Sequence, residues 1–214
     1  AWTNNDITNY YLTVPRQNVE TGFWLESDRM LSLDFSERSL EVQRGVVMEE
    51  FKQRCLNQPY GDIGHLLRPL AYQTHPYQWP TIGKELSHIA NATLEEVKAF
   101  FFRFYAPNNA ILAVTGNISF EEAVALTEKW FGSIPRREVP QRNLPQEQEQ
   151  TEERRLTVER NVPLDSLFMA YHMPAHCHPD YYAFDILSDV LSNGRSSRLN
   201  QRLVQPVSYT HLTL

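Results

Sequence analysis

Residues 41–51 read Glu41-Val42-Gln43-Arg44-Gly45-Val46-Val47-Met48-Glu49-Glu50-Phe51. Because a helix turns by about 100° per residue, a helix over this stretch gathers its apolar side chains into one broad arc. The members of that arc are Leu40, Val42, Val46, Val47, Phe51 and Cys55. Glu50 falls in the middle of the arc, and Glu49 lies nearer its edge. Burial of an unpaired carboxylate costs on the order of several kcal/mol, so Glu50 needs a metal, a cation or good hydrogen-bond donors. The simplest alternative is an arginine across a helix contact.

The elements around this helix alternate between helix and strand. Ser36 is a suitable N-cap for the helix itself, and capping boxes at 93–96 and 119–122 predict two further helix starts. Residues 110–114 form a continuous apolar run, which is typical of a strand buried on both faces. A β-rich segment over 8–14 predicts another strand. This order predicts a sandwich of helices and sheets and not a helical bundle.

The composition is that of a globular protein. In a chain of 214 residues, 42% hydrophobic and 12% aromatic residues are sufficient for a buried core. A net charge of −6 with dispersed Lys and Arg argues against a nucleic-acid-binding surface. No apolar run approaches the roughly 18 residues that a membrane span requires. Two cysteines and the lack of a signal-peptide pattern at Ala1 leave the compartment undecided between cytoplasm and periplasm.

A change of composition divides the chain. Residues 136–155 are rich in Arg, Gln, Glu and Pro and almost free of apolar side chains, which predicts a charged Pro/Gln/Glu linker. A charged binding tail is the alternative interpretation. On this division an N-terminal lobe covers residues 1–135, the beginning of a second lobe covers 156–205, and residues 206–214 form a separate tail.

No complete catalytic or metal-binding signature is present. Neither H-E-x-x-H nor H-x-x-E-H occurs among the seven histidines. The run His172-Met173-Pro174-Ala175-His176-Cys177-His178 has ligand chemistry, but its prolines indicate a loop, and no second Cys or His pair lies nearby in sequence to complete a site. The run Gly194-Arg195-Ser196-Ser197-Arg198-Leu199 could bind an anion at a helix start, although a turn with a serine cap is the favoured interpretation.

Several short segments carry a resemblance through their order and spacing. They are Ala1-Trp2-Thr3 with Asp6-Ile7-Thr8-Asn9-Tyr10-Tyr11, Arg44-Gly45-Val46-Val47-Met48-Glu49-Glu50-Phe51, His75-Pro76-Tyr77 with Trp79-Pro80 and Ile82-Gly83, Tyr105-Ala106-Pro107-Asn108-Asn109-Ala110, Trp130-Phe131-Gly132-Ser133-Ile134-Pro135 and Gly194-Arg195-Ser196-Ser197-Arg198-Leu199. Over roughly residues 1–205 the chain thereby resembles the insulinase/pitrilysin family of zinc metalloendopeptidases, which includes the mitochondrial processing peptidases.

The resemblance implies both a fold and a metal site. The fold would be α+β, with antiparallel-rich sheets covered by helices, one lobe nearly complete and the start of a second. In this family an H-x-x-E-H helix supplies two histidine ligands and a general base, and a later helix supplies a glutamate as third zinc ligand. Glu50 matches that glutamate, so Zn²⁺ is the implied cofactor of the parent protein, where it would activate a water for attack on a peptide bond. A supporting acid usually precedes this ligand by seven residues, and Gln43 stands there instead.

The resemblance also implies how the chain takes part in catalysis. Since the sequence lacks H-x-x-E-H, we expect a fragment that begins after that helix and is inactive and without catalytic zinc when isolated. The family binds its substrate as an extra strand along a sheet edge, and the matching residues are Ala1, Trp2 and Thr3. The implied partners are peptides or unfolded proteins and, as a possibility, a related subunit in a homo- or hetero-oligomer.

Two other functions stay open at this point. One is a non-catalytic, peptide-binding or scaffolding member of the same family. The other is a carbohydrate- or protein-binding module that uses the aromatic loop from Tyr72 to Trp79. Residues 206–214 depart from the family pattern and indicate a tail of foreign origin, so Tyr209 receives no substrate-binding role.

Overall fold

The computed structural model describes residues 1–205, and the tail predicted over 206–214 lies outside them. The helices and strands are, in order, β1 (Trp2–Thr3), β2 (Thr8–Asn9), α1 (Val19–Leu31), α2 (Glu37–Phe51), α3 (Ile63–Ala71), α4 (Leu86–Ala90), α5 (Leu94–Phe104), α6 (Phe120–Phe131) and α7 (Tyr181–Ser192). A π-helical turn, Lys52–Leu56, extends α2. The chain forms two compact units, of which the first covers Ala1–Leu167 and the second begins at Phe168.

Local side-chain caps set the starts of two helices. The Ser36 hydroxyl accepts a hydrogen bond from the Ser39 N–H at 3.2 Å, at the start of α2. At the start of α5 the Thr93 hydroxyl accepts from the Glu96 N–H at 3.2 Å, and the Glu96 carboxylate accepts from the Thr93 N–H at 2.8 Å. These bonds satisfy backbone donors that a helix start leaves free, so both predicted starts are confirmed.

The second predicted capping box, at the start of α6, forms only in part. The Ser119 hydroxyl accepts from the Glu122 N–H at 3.1 Å. The Glu122 carboxylate accepts instead from the guanidinium of Arg16, at 2.6 and 2.9 Å. A charged partner from another segment thus replaces the return bond to the backbone, because an arginine binds both carboxylate oxygens at once.

The core of the first unit lies among the helices. Helix α1 packs against α6, and α2 packs against α4. Phe101 of α5 is almost fully buried, with the ring of Phe35 5.3 Å away in an edge-on arrangement. The other buried apolar residues are Phe23, Phe51, Cys55, Leu94, Ala106 and Ile134. Burial of such side chains is the main stabilising contribution of this unit.

The sheet is small, which corrects the prediction of antiparallel-rich sheets. In residues 1–205 it consists of β1 and β2, which pair antiparallel with Trp2 opposite Asn9 and Thr3 opposite Thr8. The fold of this chain is therefore α-rich. A β-type sequence pattern indicates extended backbone, but a sheet also needs a partner strand for its N–H and C=O groups, and local sequence does not supply one.

The apolar run at 110–114 shows this difference most clearly. The prediction of a strand buried on both faces is wrong here, because Ile111 is 97% exposed and the run pairs with no strand in the described part of the chain. Burial on both faces requires neighbouring strands and a covering layer on each side.

Across residues 1–205, no helix has both the length and the apolar character needed to cross a lipid bilayer.

Candidate functional site

Glu50 lies in the last turn of α2, with its carboxylate accessible. Its side chain is 39% exposed, and its Oε1 lies 3.1 Å from Nη2 of Arg54, one turn further along. The pairing with an arginine that the sequence left open is thus present, but the arginine lies on the same stretch of helix and not across a helix contact. An exposed pair of this kind contributes little to stability, on the order of 0.3–0.5 kcal/mol. Glu50 is therefore not fixed by a strong internal partner.

The apolar arc around Glu50 is divided between core and solvent. Phe51 and Cys55 are buried, and burial raises the pKa of the Cys55 thiol. Val42 and Val46 are 63% and 54% exposed. The desolvation penalty argued from the sequence therefore does not apply in this chain. Glu50 instead stands at the boundary between the packed end of α2 and an open apolar face, which we call the α2 face and define by Val42, Val46 and Glu50.

Gln43, the position expected for a supporting acid, is exposed two turns before Glu50. Seven residues along a helix correspond to a rise of about 10 Å. Both side chains lie on nearly the same side of α2, but no hydrogen bond joins them among the contacts of the described residues. At this separation Gln43 could support the Glu50 carboxylate only through a further group that lies between the two side chains.

Glu50 has no companion ligands in the described part of the chain. Nowhere in residues 1–205 do three His, Cys, Asp or Glu side chains come together in a way that could hold a metal ion. The neighbouring Glu49 carboxylate pairs with Lys52 at 2.6 Å. In the histidine-rich run, the rings of His176 and Tyr181 lie 4.6 Å apart.

The predicted substrate edge is β1. Ala1, Trp2 and Thr3 are exposed, and the Thr3 hydroxyl lies 3.1 Å from that of Thr8 on β2. Because β2 is the only strand paired with β1 in residues 1–205, the opposite edge of β1 keeps its backbone groups unpaired within the sheet. Such an edge is able to pair with an extended peptide.

Next to β1 is a cavity of about 1040 Å³, which is large enough for several residues of a peptide. One part of its lining follows directly from β1, at Thr3 to Asp6. Another part is formed by residues 139–144 of the predicted linker, and Tyr77 and Trp79 of the aromatic loop contribute a third. Sequence reasoning proposed the edge and the aromatic loop as separate features, and the structure brings them to one place.

The fold places the chain in a known class of proteins. A crystal structure of a protease from Helicobacter pylori matches it with a TM-score of 0.75 and 30% sequence identity, over 89% of this chain and 47% of that one. A likeness of this size defines the fold as that of a lobe of this protease.

The family follows from the sequence. The family model described as the peptidase M16 inactive domain matches residues 91–209, more than half of the chain, and the chain therefore belongs to the peptidase M16 family. The resemblance to insulinase-type metallopeptidases is thereby confirmed. Glu50 and Gln43 lie outside the matched residues.

The curated relatives are named as zinc proteases. Zinc protease PqqE of Helicobacter pylori is 33% identical over 209 residues, which cover 95% of this chain and 46% of that protein. The uncharacterized zinc protease YmxG of Bacillus subtilis is 27% identical over 202 residues, covering 94% and 48% respectively. The chain thus spans about half the length of these relatives.

Proposed function

We propose that the chain is a portion of a zinc-dependent metalloendopeptidase that hydrolyses peptide bonds of peptides or small proteins, and that Glu50 is the third ligand of its zinc ion. The observation that carries the proposal is the position of Glu50, whose accessible carboxylate lies on the α2 face with only an exposed ion pair to hold it. Membership of the M16 family and the names of the relatives support the choice of zinc and of peptide hydrolysis.

The residues of this chain do not by themselves fit a zinc site. A catalytic zinc needs three protein ligands, and residues 1–205 bring no group of three candidates together. Since the sequence contains no H-x-x-E-H, we assign Glu50 as one ligand of a site whose two histidines belong to such a helix of the parent protein. On this proposal activation of a water by zinc belongs to the whole protein, and the isolated chain neither holds tight zinc nor cleaves peptides.

The substrate side of the proposal concerns β1. We assign Ala1, Trp2 and Thr3 as the edge along which an extended peptide adds as a further strand. The exposure of this edge and its position beside the cavity support the assignment. Backbone hydrogen bonds to an edge recognise extended chain of almost any sequence, which suits a peptidase that acts on varied peptides or unfolded proteins. Association with a related subunit is a further part of this proposal.

The test of the ligand assignment is Glu50→Gln in the longer protein that contains this sequence together with an H-x-x-E-H helix. The amide keeps the size of the side chain but binds zinc poorly, so we expect zinc content and peptide hydrolysis to fall by more than about 100-fold, the upper end of losses seen for groups that merely support a ligand. Metal analysis by mass spectrometry and cleavage of a quenched fluorescent peptide measure the two effects.

The matched control is Glu49→Gln. Glu49 is adjacent on the same helix and also forms an ion pair, with Lys52 at 2.6 Å, so the control changes the same charge on the same element. We expect it to keep zinc and activity. Retention of both zinc and activity by Glu50→Gln would show that Glu50 is not a ligand.

A second candidate function is a non-catalytic, peptide-binding or scaffolding member of the family. The description of the matched domain as inactive favours it for residues 91–209. The two candidates differ in the longer protein: an enzyme binds one zinc per chain and cleaves the fluorescent peptide, whereas a scaffold binds the peptide without zinc and releases it uncut.

A further inference from the structure

The predicted linker is fixed to the aromatic loop by one carboxylate. Three consecutive backbone N–H groups, of Gln73, Thr74 and His75, donate to the Glu147 carboxylate at 2.8, 2.9 and 2.8 Å. The Thr74 hydroxyl adds a fourth bond at 3.0 Å. These bonds, led by the one from Gln73, lower the pKa of Glu147 to about 2. Successive backbone N–H groups that converge in this way form an anion-binding nest, which we call the 73–75 nest.

A second contact fixes the linker nearer to β1. The Arg142 guanidinium forms an ion pair with Asp6, just after β1. The Tyr77 hydroxyl donates to the other oxygen of the Asp6 carboxylate at 2.6 Å, and this bond is the main cause that holds the pKa of Asp6 below its usual value. Asp6 is thus satisfied from two sides, by a linker residue and by the loop that also carries the nest.

Between these contacts the linker lies along the cavity. Residues 139–144 form part of the cavity lining, across from the residues that follow β1. In the described part of the chain this stretch belongs to no helix or strand, and its side chains are mostly exposed. The linker is held there by the Arg142 and Glu147 side chains and by the Gln146 carbonyl, which accepts from the Thr74 hydroxyl at 3.2 Å. A separate peptide of the same sequence is able to make the same contacts.

The charges of the cavity suit an acidic occupant. Lys84 and Arg103 both contribute to its lining, and neither forms an ion pair with any described residue. Asp6 is the one carboxylate in this lining, and its partner Arg142 belongs to the linker itself, so the lining outside the linker carries two cations and one carboxylate. Charge-assisted hydrogen bonds from the nest are stronger than neutral ones, so a carboxylate gains more there than an uncharged group of the same shape.

We propose that the 73–75 nest and Asp6 form a binding site for a peptide that carries a carboxylate, and that residues 138–147, which line one side of the neighbouring cavity, occupy this site as an intramolecular substitute. The inference adds a specific carboxylate subsite to the proposed function. It does not involve the α2 face or zinc, so a failure of one proposal is distinguishable from a failure of the other.

The test measures whether the same sequence binds when it is supplied as a separate peptide. The probe is a fluorescein-labelled, C-terminally amidated peptide of residues 138–150, Glu-Val-Pro-Gln-Arg-Asn-Leu-Pro-Gln-Glu-Gln-Glu-Gln. Fluorescence polarisation with the 214-residue chain gives its affinity. A tethered segment competes at an effective concentration on the order of millimolar, so the wild-type chain should bind the probe poorly. We expect Glu147→Gln, which weakens the contact of the linker with the nest, to bind the probe at least about 10-fold more tightly.

Two controls separate this mechanism from a general loosening of the linker. Glu149→Gln makes the same change two residues away, at a side chain outside the nest, and should behave as wild type. A probe with Gln in place of Glu147 should bind the Glu147→Gln chain no more tightly than it binds the wild-type chain. Hydrogen exchange should also become faster at the amides of residues 73–75 in Glu147→Gln, because glutamine offers one acceptor oxygen in place of two and carries no charge.

Several results would overturn the proposal. They are equal binding of the probe to the wild-type and Glu147→Gln chains, no binding to either, equal binding of the Glu and Gln probes, and unchanged amide exchange at residues 73–75. A further probe of residues 138–146, with a free terminal carboxylate after Gln146, identifies the carboxylate that the nest prefers. If it binds as well as the longer probe, the subsite accepts a chain end, and if it fails, the subsite requires an acidic side chain.

Discussion

Three consecutive phenylalanines of α5 test which face of this helix is packed. Phe101 is 2% exposed, whereas Phe100 and Phe102 are 59% and 48% exposed. The ring of Phe101 stacks on Tyr105 with 5.0 Å between centroids and meets Phe35 edge-on at 5.3 Å. Alanine at each of the three positions makes the same chemical change on the same helix. The three variants therefore differ mainly in burial.

The expected losses in the free energy of unfolding differ accordingly. Phe101→Ala removes a buried ring and leaves a cavity, at a cost of about 3–5 kcal/mol. Phe102→Ala removes contacts with Phe35 at 5.8 Å and with the Arg137 guanidinium at 4.9 Å, for which we expect about 1–2 kcal/mol. Phe100→Ala removes one ring pair, with Phe104 at 4.7 Å, at a cost of about 1 kcal/mol.

Urea unfolding of the 214-residue chain, followed by tryptophan fluorescence and circular dichroism, measures these losses. With an m value of about 2–3 kcal/mol/M, Phe101→Ala should lower the midpoint by roughly 1–2 M, and Phe100→Ala by less than about 0.5 M. Equal losses at positions 100 and 101 would show that α5 packs through a different face, and the assignment of the core around Phe101 would be wrong.

Two further predictions concern caps and the nest. Thr93→Ala removes both bonds of the Thr93 hydroxyl, the one it accepts from the Glu96 N–H and the one it donates to the Glu96 carboxylate at 3.0 Å, and should cost about 1–2 kcal/mol. Ser119→Ala removes a single bond and should cost about 0.5–1 kcal/mol. Thermal unfolding compares the two variants, and an equal loss would contradict this difference in capping. An NMR titration should give Glu147 a pKa of about 2, because backbone N–H groups led by that of Gln73 stabilise the charged form. Since this pKa is depressed, the contact contributes fully at a pH above the ordinary pKa of glutamate, and its contribution is lost as the pH falls towards 2. A measured pKa of Glu147 near the ordinary glutamate value would show that the nest does not bind this carboxylate.

Sequence reasoning succeeded where structure depends on near neighbours. The caps at Ser36 and Thr93 could be predicted because donor and acceptor lie three residues apart, so the pattern contains both partners. The family could be recognised for a similar reason. Its segments are short, and their order along the chain is visible without knowledge of any contact. Neither inference depends on a contact between residues that are distant in the sequence.

The same reasoning failed where a partner is distant or absent. Residues 110–114 have the composition of a buried strand, but burial depends on strands and layers that the described part of the chain does not place around Ile111. The apolar arc of α2 shows the same effect on a smaller scale. Its members share one side of the helix, yet Phe51 is buried and Val46 is exposed, because neighbouring elements cover only one end of that side.

The 73–75 nest could not be predicted from sequence at all. Its donors are backbone N–H groups, which every residue except proline has, so no residue type marks them. Glu147 is one of several glutamates in a charged stretch and has no neighbour in sequence that distinguishes it. What selects it is the path of the linker, which brings its carboxylate to residues more than 70 positions away. The strongest anion contact of the linker is therefore a property of the tertiary structure.

The ion pair between Glu50 and Arg54 is compatible with the ligand role proposed for Glu50. An exposed pair at i and i+4 contributes about 0.3–0.5 kcal/mol, whereas structural zinc sites in peptides bind with about 10–16 kcal/mol. The free energy lost when the Glu50 carboxylate leaves Arg54 to bind a metal is therefore small compared with the free energy of metal binding. A buried carboxylate with several hydrogen bonds would be harder to recruit, since removing one partner of a buried ion pair costs about 3–5 kcal/mol. The partial exposure of Glu50, which weakens the argument from burial, thus makes the carboxylate easier to recruit as a ligand.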